Sequence, residues 1–155
     1  MTGQARARGL SWGRGTVSWR ALLVLLGGWS ILPPYVGPAV GLELDVRSSV
    51  EVADHVIPGV VIILCGGLSL LLVNRTAEEE EGLVVLAATG VCVLAALWET
   101  VTHVPLLFDA GGSDAPWGAV LLHATAAPLL LALSLWLLLH VPAPEGSPGE
   151  VRRPS

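Results

Sequence analysis

The segment that decides the fold is Val56–Val73, VIPGVVIILCGGLSLLLV, which runs for 18 residues without a charged side chain. At 1.5 Å per residue, an α-helix of this length spans about 27 Å, close to the roughly 30 Å hydrocarbon core of a bilayer. A helix is required there because an open strand would leave its backbone N–H and C=O groups unpaired in lipid. The segment therefore predicts a transmembrane helix.

Three further apolar stretches, at residues 21–42, 83–108 and 117–141, accompany it. In the whole chain 53% of residues are hydrophobic and only 14% are charged, whereas soluble domains have about 25% charged residues. A chain of 155 residues is too short to bury so much apolar surface in water. We predict an all-α polytopic membrane protein with four transmembrane helices in residues 19–141. Its short connections favour an antiparallel bundle.

The N-terminal segment has an alternative interpretation. The Arg-rich residues 6–20, followed by an apolar run, also suit a signal peptide. However, the run continues past Pro33-Pro34 to Leu42 and no A-x-A cleavage site follows, which favours an uncleaved helix. These prolines should break that helix near its outer end because they cannot donate backbone hydrogen bonds. The polar ends, residues 1–18 and 142–155, are predicted to be disordered.

The basic residues indicate the orientation. All eight are Arg, and seven of them lie on the cytoplasmic side if the N-terminus does, leaving only Arg47 outside. The positive-inside rule therefore predicts cytoplasmic N- and C-termini. Trp19 and Trp136 would then lie near the inner interface, and Trp117 near the outer one. The preference for Arg, with abundant Ala, Gly, Val and Leu, suggests a GC-rich bacterial genome and hence the bacterial inner (plasma) membrane.

The apolar stretches contain a few ionisable or polarisable side chains. Glu99 and His103 are four residues apart and therefore share one helix face. Cys92 and Ala96 extend this face into a stripe of mostly small residues, which is typical of a surface packed against other helices. Cys65 and Cys92 both lie in apolar runs and are predicted to be packing residues rather than a disulfide.

Three of the four histidines fall toward the outer side with Glu99, so the candidate ligand or proton site consists of Glu99, His103, His123 and His55. Such groups could bind a divalent transition metal, relay protons or ligate a haem. They could instead only hydrogen-bond between helices, with a Thr or a backbone carbonyl completing the contact. For His55 the structural interpretation is favoured, because it begins the second helix and can reach the headgroups. His140 lies at the opposite interface.

The sequence excludes some classes of function and leaves two. No nucleophile–base pair, phosphate-binding glycine loop or hydrolytic motif is recognisable, and no basic face suits nucleic acid. The sequence favours a non-enzymatic structural or interaction component of the bacterial inner membrane. The alternative is a metal-, haem- or proton-handling membrane protein, with its cofactor unknown. Its partners are the lipid bilayer and either another membrane protein or a second copy of the chain.

The two halves of the chain show a faint repeat. Trp29 precedes His55 by 26 residues and Trp98 precedes His123 by 25, with proline near each residue of both pairs. The first half, in GWSILPPYV at 28–36 and HVIPG at 55–59, resembles the SPW repeat of small bacterial membrane proteins. Here Pro-Pro-Tyr stands in place of Ser-Pro-Trp, and the second half matches less well. The resemblance implies a two-helix membrane unit, but it implies nothing about activity.

Overall fold

The computed structural model describes residues 3–40, 48–73, 79–109, 121 and 124–141. All the elements in this part of the chain are helical, which confirms the all-α class. They are α1 (Gly3–Ile31), α2 (Pro33–Val36), a 3₁₀ turn (Gly37–Val40), α3 (Ser49–Glu51), a π-helical turn (Val52–Val56), α4 (Ile57–Leu72), α5 (Glu79–Asp109) and α6 (Ala126–Leu139).

Three segments are long and apolar enough to cross a membrane: Val17–Ala39, Ser49–Leu72 and Glu80–Pro105. They correspond to the first three helices predicted from the sequence. Helix α6 is also apolar, but its 14 residues are fewer than the approximately 20 that a full crossing needs. The first part of the predicted fourth helix, residues 117–120 and 122–123, lies outside the described residues.

The first helix differs from its predicted bounds at both ends. It ends at Ile31, and the chain resumes as α2 with the amides of Tyr35 and Val36 donating to the carbonyl of Leu32. The predicted proline break is therefore confirmed. At the other end α1 begins at Gly3, so residues 3–18, for which the sequence predicts disorder, belong to the helix. No proline precedes Pro33, so no residue in this stretch lacks the backbone donor that a helix requires.

Each of the four longer described helices packs against two others, so that the four form a ring. Helix α1 packs against α4 and α6, and α5 likewise packs against α4 and α6. Small or aliphatic side chains fill the space between them: Leu23, Ile62, Cys92, Ala96, Leu130 and Leu137. The predicted stripe on α5 is confirmed as a buried face. Both cysteines are free thiols, with Cys92 buried in this core.

Two glycines bring α1 and α4 close together. A β-carbon on Gly59 would lie 2.9 Å from the carbonyl oxygen of Gly27 and 2.5 Å from Cγ1 of Ile31. One on Gly27 would lie 2.8 Å from Cγ2 of Ile62. Close approach of backbones at small residues is a principal source of helix–helix attraction in lipid, where apolar burial alone gives little. The contact between α1 and α4 therefore depends on glycine at both positions.

We predict that Gly59→Ala destabilises the protein by roughly 1–3 kcal/mol, because the added methyl forces the helices apart. Gly67→Ala, on the same helix, is the matched control, since a β-carbon there meets nothing within 4 Å. It should be neutral or stabilising by up to about 1 kcal/mol, since alanine favours the helix more than glycine. Thermal unfolding in detergent measures both. Equal melting temperatures for the two variants would contradict the close contact.

Candidate functional site

One end of the helices contains a buried polar group that we call the histidine cluster: Ser30, Glu51, His55, Glu99 and His103. Ser30 lies at the end of α1, Glu51 and His55 lie at the start of the second span, and Glu99 and His103 lie one turn apart on α5. Except for Glu51, these side chains are at most 3% exposed. The structure thus brings together three of the four predicted site residues, and His123 lies outside the described residues.

The two histidines meet edge to face. Their Nε2 atoms are 3.0 Å apart and their ring centroids are 4.4 Å apart. Nδ1 of His103 lies 2.8 Å from the backbone carbonyl oxygen of Glu99. Oγ1 of Thr102 lies 2.9 Å from the same Nδ1. The carbonyl can only accept, whereas the hydroxyl can also accept, so both partners are satisfied when Nδ1 carries the proton of the neutral ring and Nε2 presents its lone pair to His55.

The sequence put His55 in the candidate site at the outer boundary, within reach of the headgroups, and the structure buries its side chain. It is 3% exposed and lies in the π-helical turn Val52–Val56, where the amide of Ile57 donates to the carbonyl of Val52. Pro58 follows and cannot donate to the carbonyl of Asp54, so the backbone is locally rearranged. The more exposed Glu51 lies one turn earlier, with Oε2 3.5 Å from Nε2 of His55. His55 therefore connects a carboxylate near the surface to the buried His103.

Glu99 connects α5 to α1. The hydroxyl of Ser30 donates to Oε1 of Glu99, and Oε2 is buried with no hydrogen-bond partner among the described residues. The prediction that Glu99 and His103 share one buried face is confirmed. His103 contacts the backbone carbonyl of Glu99 and the hydroxyl of Thr102, the two kinds of partner expected for a structural contact.

The space inside the histidine cluster limits what can bind there. It is lined by Ser30, His55, Glu99, His103, Ala126 and Ala127, and it is too small for a water molecule. This arrangement has no room for a porphyrin between these residues, so it does not suit a haem. Within the described ranges, no three His, Cys, Asp or Glu side chains form a ready metal site. A proton relay stays a prediction.

A second polar group, the arginine cluster of Arg20, Ser69 and Thr89, was not predicted. Arg20 is 1% exposed, and its Nη1 donates to Oγ of Ser69 at 2.8 Å and Oγ1 of Thr89 at 3.0 Å. Both hydroxyls in turn donate to carbonyls of their own helices. From the sequence, Arg20 is recognised only as one of the positive charges that assign the orientation. Its position within the first span is a signal for burial that such counting does not use.

The histidine cluster also has a sequence signal that the prediction missed. Glu51 precedes His55 by four residues, and Glu99 precedes His103 by the same interval. Two spans therefore each carry a Glu-x-x-x-His pair on one helix face. This match points to Glu51 as the neighbour of His55, and to the two pairs as neighbours of each other.

Comparison of the chain with protein-family models, curated proteins and solved structures finds no match. The resemblance to the SPW repeat therefore stays a prediction. The site has to be interpreted from its own geometry: two buried clusters, each joining side chains from three segments of the chain.

We predict that Glu99→Gln preserves the melting temperature within a few degrees, because the amide keeps the shape and the oxygen that accepts from Ser30. Glu99→Ala should destabilise the protein by about 2 kcal/mol or more, because it removes this acceptor and leaves a cavity. Thermal unfolding in detergent measures both variants.

Ser30→Ala is the partner variant for a double-mutant cycle. The coupling between Ser30 and Glu99 should be about 0.6 kcal/mol, the average for interhelical hydrogen bonds in a membrane protein, and no more than about 1.7 kcal/mol. If Glu99→Gln proves as damaging as Glu99→Ala, the carboxyl group has a role that an amide oxygen cannot fill.

Proposed function

We propose that this protein is a non-enzymatic, multi-pass component of the bacterial inner membrane with a structural or interaction role. One observation carries the proposal. Of the eight buried polar side chains in the described residues, all but Ser134 belong to the two clusters that join helices. Polar groups in hydrocarbon are costly, and in this protein they are used to fix the helices relative to one another.

We further propose a four-helix antiparallel bundle. Near one end, α1 contacts α4 and α5 through Arg20, and it contacts α6 through Trp19 and Trp136, whose ring centroids are 5.7 Å apart. Near the other end, Ser30 of α1 bonds Glu99 of α5, and Ala126 of α6 lines the same space. These contacts support a common direction for α1 and α5, and the opposite direction for α4 and α6.

The proposed location has cytoplasmic N- and C-termini. The Arg distribution supports this orientation, and the contact of Trp19 with Trp136 suits two aromatic residues at one membrane interface. His140 stacks on Trp136 at 4.5 Å, in keeping with its predicted interfacial position. A relationship to the SPW repeat is part of the same proposal, and it would account for a small bacterial membrane protein without catalytic groups.

The outer surface supports an interaction role within the lipid. Large apolar side chains point away from the other described helices on every long helix, among them Leu25, Leu64, Leu71, Leu94, Val101 and Leu139. An apolar groove between α4 and α5 is lined by Ala53, Ile57, Pro58, Val61, Val91, Leu94, Ala95 and Trp98. Such a surface contacts acyl chains or the helices of another membrane protein.

We predict that Thr89→Val lowers the melting temperature in detergent, because it deprives the Arg20 guanidinium of one of its two acceptors. Thr100→Val is the matched control on α5, since among the described residues the Thr100 hydroxyl donates only to the carbonyl of Ala96 in its own helix. The difference between the two variants should be about 1 kcal/mol, as for other interhelical hydrogen bonds. Equal stability of the two variants would remove the support that the arginine cluster gives to a helix-fixing role.

The interaction role is tested separately in native membranes. Chemical cross-linking, followed by native electrophoresis in mild detergent, should show a discrete species larger than one chain. Its composition distinguishes a second copy from another membrane protein. A chain that is monomeric under these conditions and by cross-linking would contradict an interaction role.

A further inference from the structure

The distance between Nε2 of His55 and Nε2 of His103 is close to the distance between two neighbouring ligand atoms on one metal ion. With metal–nitrogen bonds of about 2.0–2.1 Å in a tetrahedral site, adjacent ligand atoms lie about 3.3–3.4 Å apart. The Nε2 atoms of His55 and His103 are 3.0 Å apart. A small movement of either ring would therefore place both lone pairs on one ion, which would replace the proton between them.

The surroundings of His103 match those of a metal-bound histidine. Ligating histidines usually donate their other ring N–H to a carbonyl or carboxylate, which fixes the tautomer and aims the second nitrogen at the metal. Nδ1 of His103 has this relation to the backbone carbonyl of Glu99, at 2.8 Å. Packing at 3% exposure holds the ring in this orientation.

Glu51 supplies a third ligand atom, a carboxylate oxygen, within reach. Its Oε2 lies 3.5 Å from Nε2 of His55, and its side chain is 20% exposed. In the described residues no three such side chains form a complete site as they stand, so the structure provides two nitrogen ligands directly. A change in the side-chain torsions of Glu51 would add a carboxylate ligand. Because the space inside the histidine cluster does not admit water, the fourth ligand would be a water molecule on the partly exposed Glu51 side of the ion.

We propose that His55 and His103, with Glu51, bind a divalent transition-metal ion such as Zn²⁺ at the outer end of the helices. A site with two imidazole nitrogens and a carboxylate oxygen suits Zn²⁺, Co²⁺ or Ni²⁺, whereas Mg²⁺ and Ca²⁺ prefer sites made of oxygen ligands. On binding, neutral His55 changes tautomer: Nε2 gives up its proton and Nδ1 takes one up, through solvent, so no net proton is released and both Nε2 atoms become ligands. The bound ion joins the second span to α5. This inference does not rest on the proposed function.

The test uses the full-length protein purified in detergent and stripped with a chelator. We expect about one Zn²⁺ per chain by elemental analysis after removal of free metal, and a higher melting temperature with Zn²⁺ but not with Mg²⁺. Co²⁺ should develop the visible absorption of a four-coordinate site, and Zn²⁺ should displace it. His103→Gln should abolish these signals, and Glu51→Gln should weaken Zn²⁺ binding, because a neutral amide replaces the carboxylate ligand.

His140→Gln is the matched control, because His140 stacks on Trp136 and bonds the Trp136 carbonyl. It should bind metal like the wild type. Absence of stoichiometric Zn²⁺ and of a Zn²⁺-dependent rise in melting temperature in the wild type would overturn the proposal. The proposal would also be overturned if His140→Gln lost Zn²⁺ binding while Glu51→Gln bound Zn²⁺ as tightly as the wild type. Glu51 is partly exposed, so its variant should fold and keep the test decisive even if His103→Gln does not.

Discussion

The hydrocarbon core of a membrane offers no hydrogen-bond partner, and the positions of the polar side chains follow from this constraint. The backbone satisfies itself by forming helices, so the remaining problem is the side chains that carry charge or hydroxyl groups within the spans. Arg20, Glu99 and His103 solve it by facing other helices rather than lipid. Each finds a partner on another helix or within its own, which makes the polar groups the contacts that specify how the helices fit together.

The glycine contact between α1 and α4 lies between these two clusters along α1. Arg20 is seven residues before Gly27 and Ser30 is three residues after it. Because Gly27 and Gly59 let the two backbones approach closely, the Arg20 guanidinium can reach Ser69 on α4 and Thr89 on α5. Separation of α1 from α4 would therefore strain the polar contacts at both ends, and the close packing and the hydrogen bonds depend on each other.

The sequence was sufficient for those features that depend on one helix alone. The buried face of α5 through Cys92, Glu99 and His103 follows from 3.6-residue periodicity, and the end of α1 follows from the chemistry of Pro33 and Pro34. The burial of His55 could not be derived in this way, because it depends on the π-helical turn that rotates this residue toward α5. The partners of Arg20 likewise depend on the relative rotation and translation of three helices, which a one-dimensional pattern does not contain.

The two clusters differ in what they can still bind, and this difference separates their roles. In the arginine cluster the hydroxyl protons of Ser69 and Thr89 are already donated to carbonyls, so these groups only accept from Arg20 and present no free ligand. In the histidine cluster the carbonyl of Glu99 fixes the tautomer of His103 and leaves a nitrogen lone pair directed at His55. Both clusters fix helices through these contacts, and in our proposal the nitrogen pair of the histidine cluster also binds an ion, with Glu51 providing the connection to solvent.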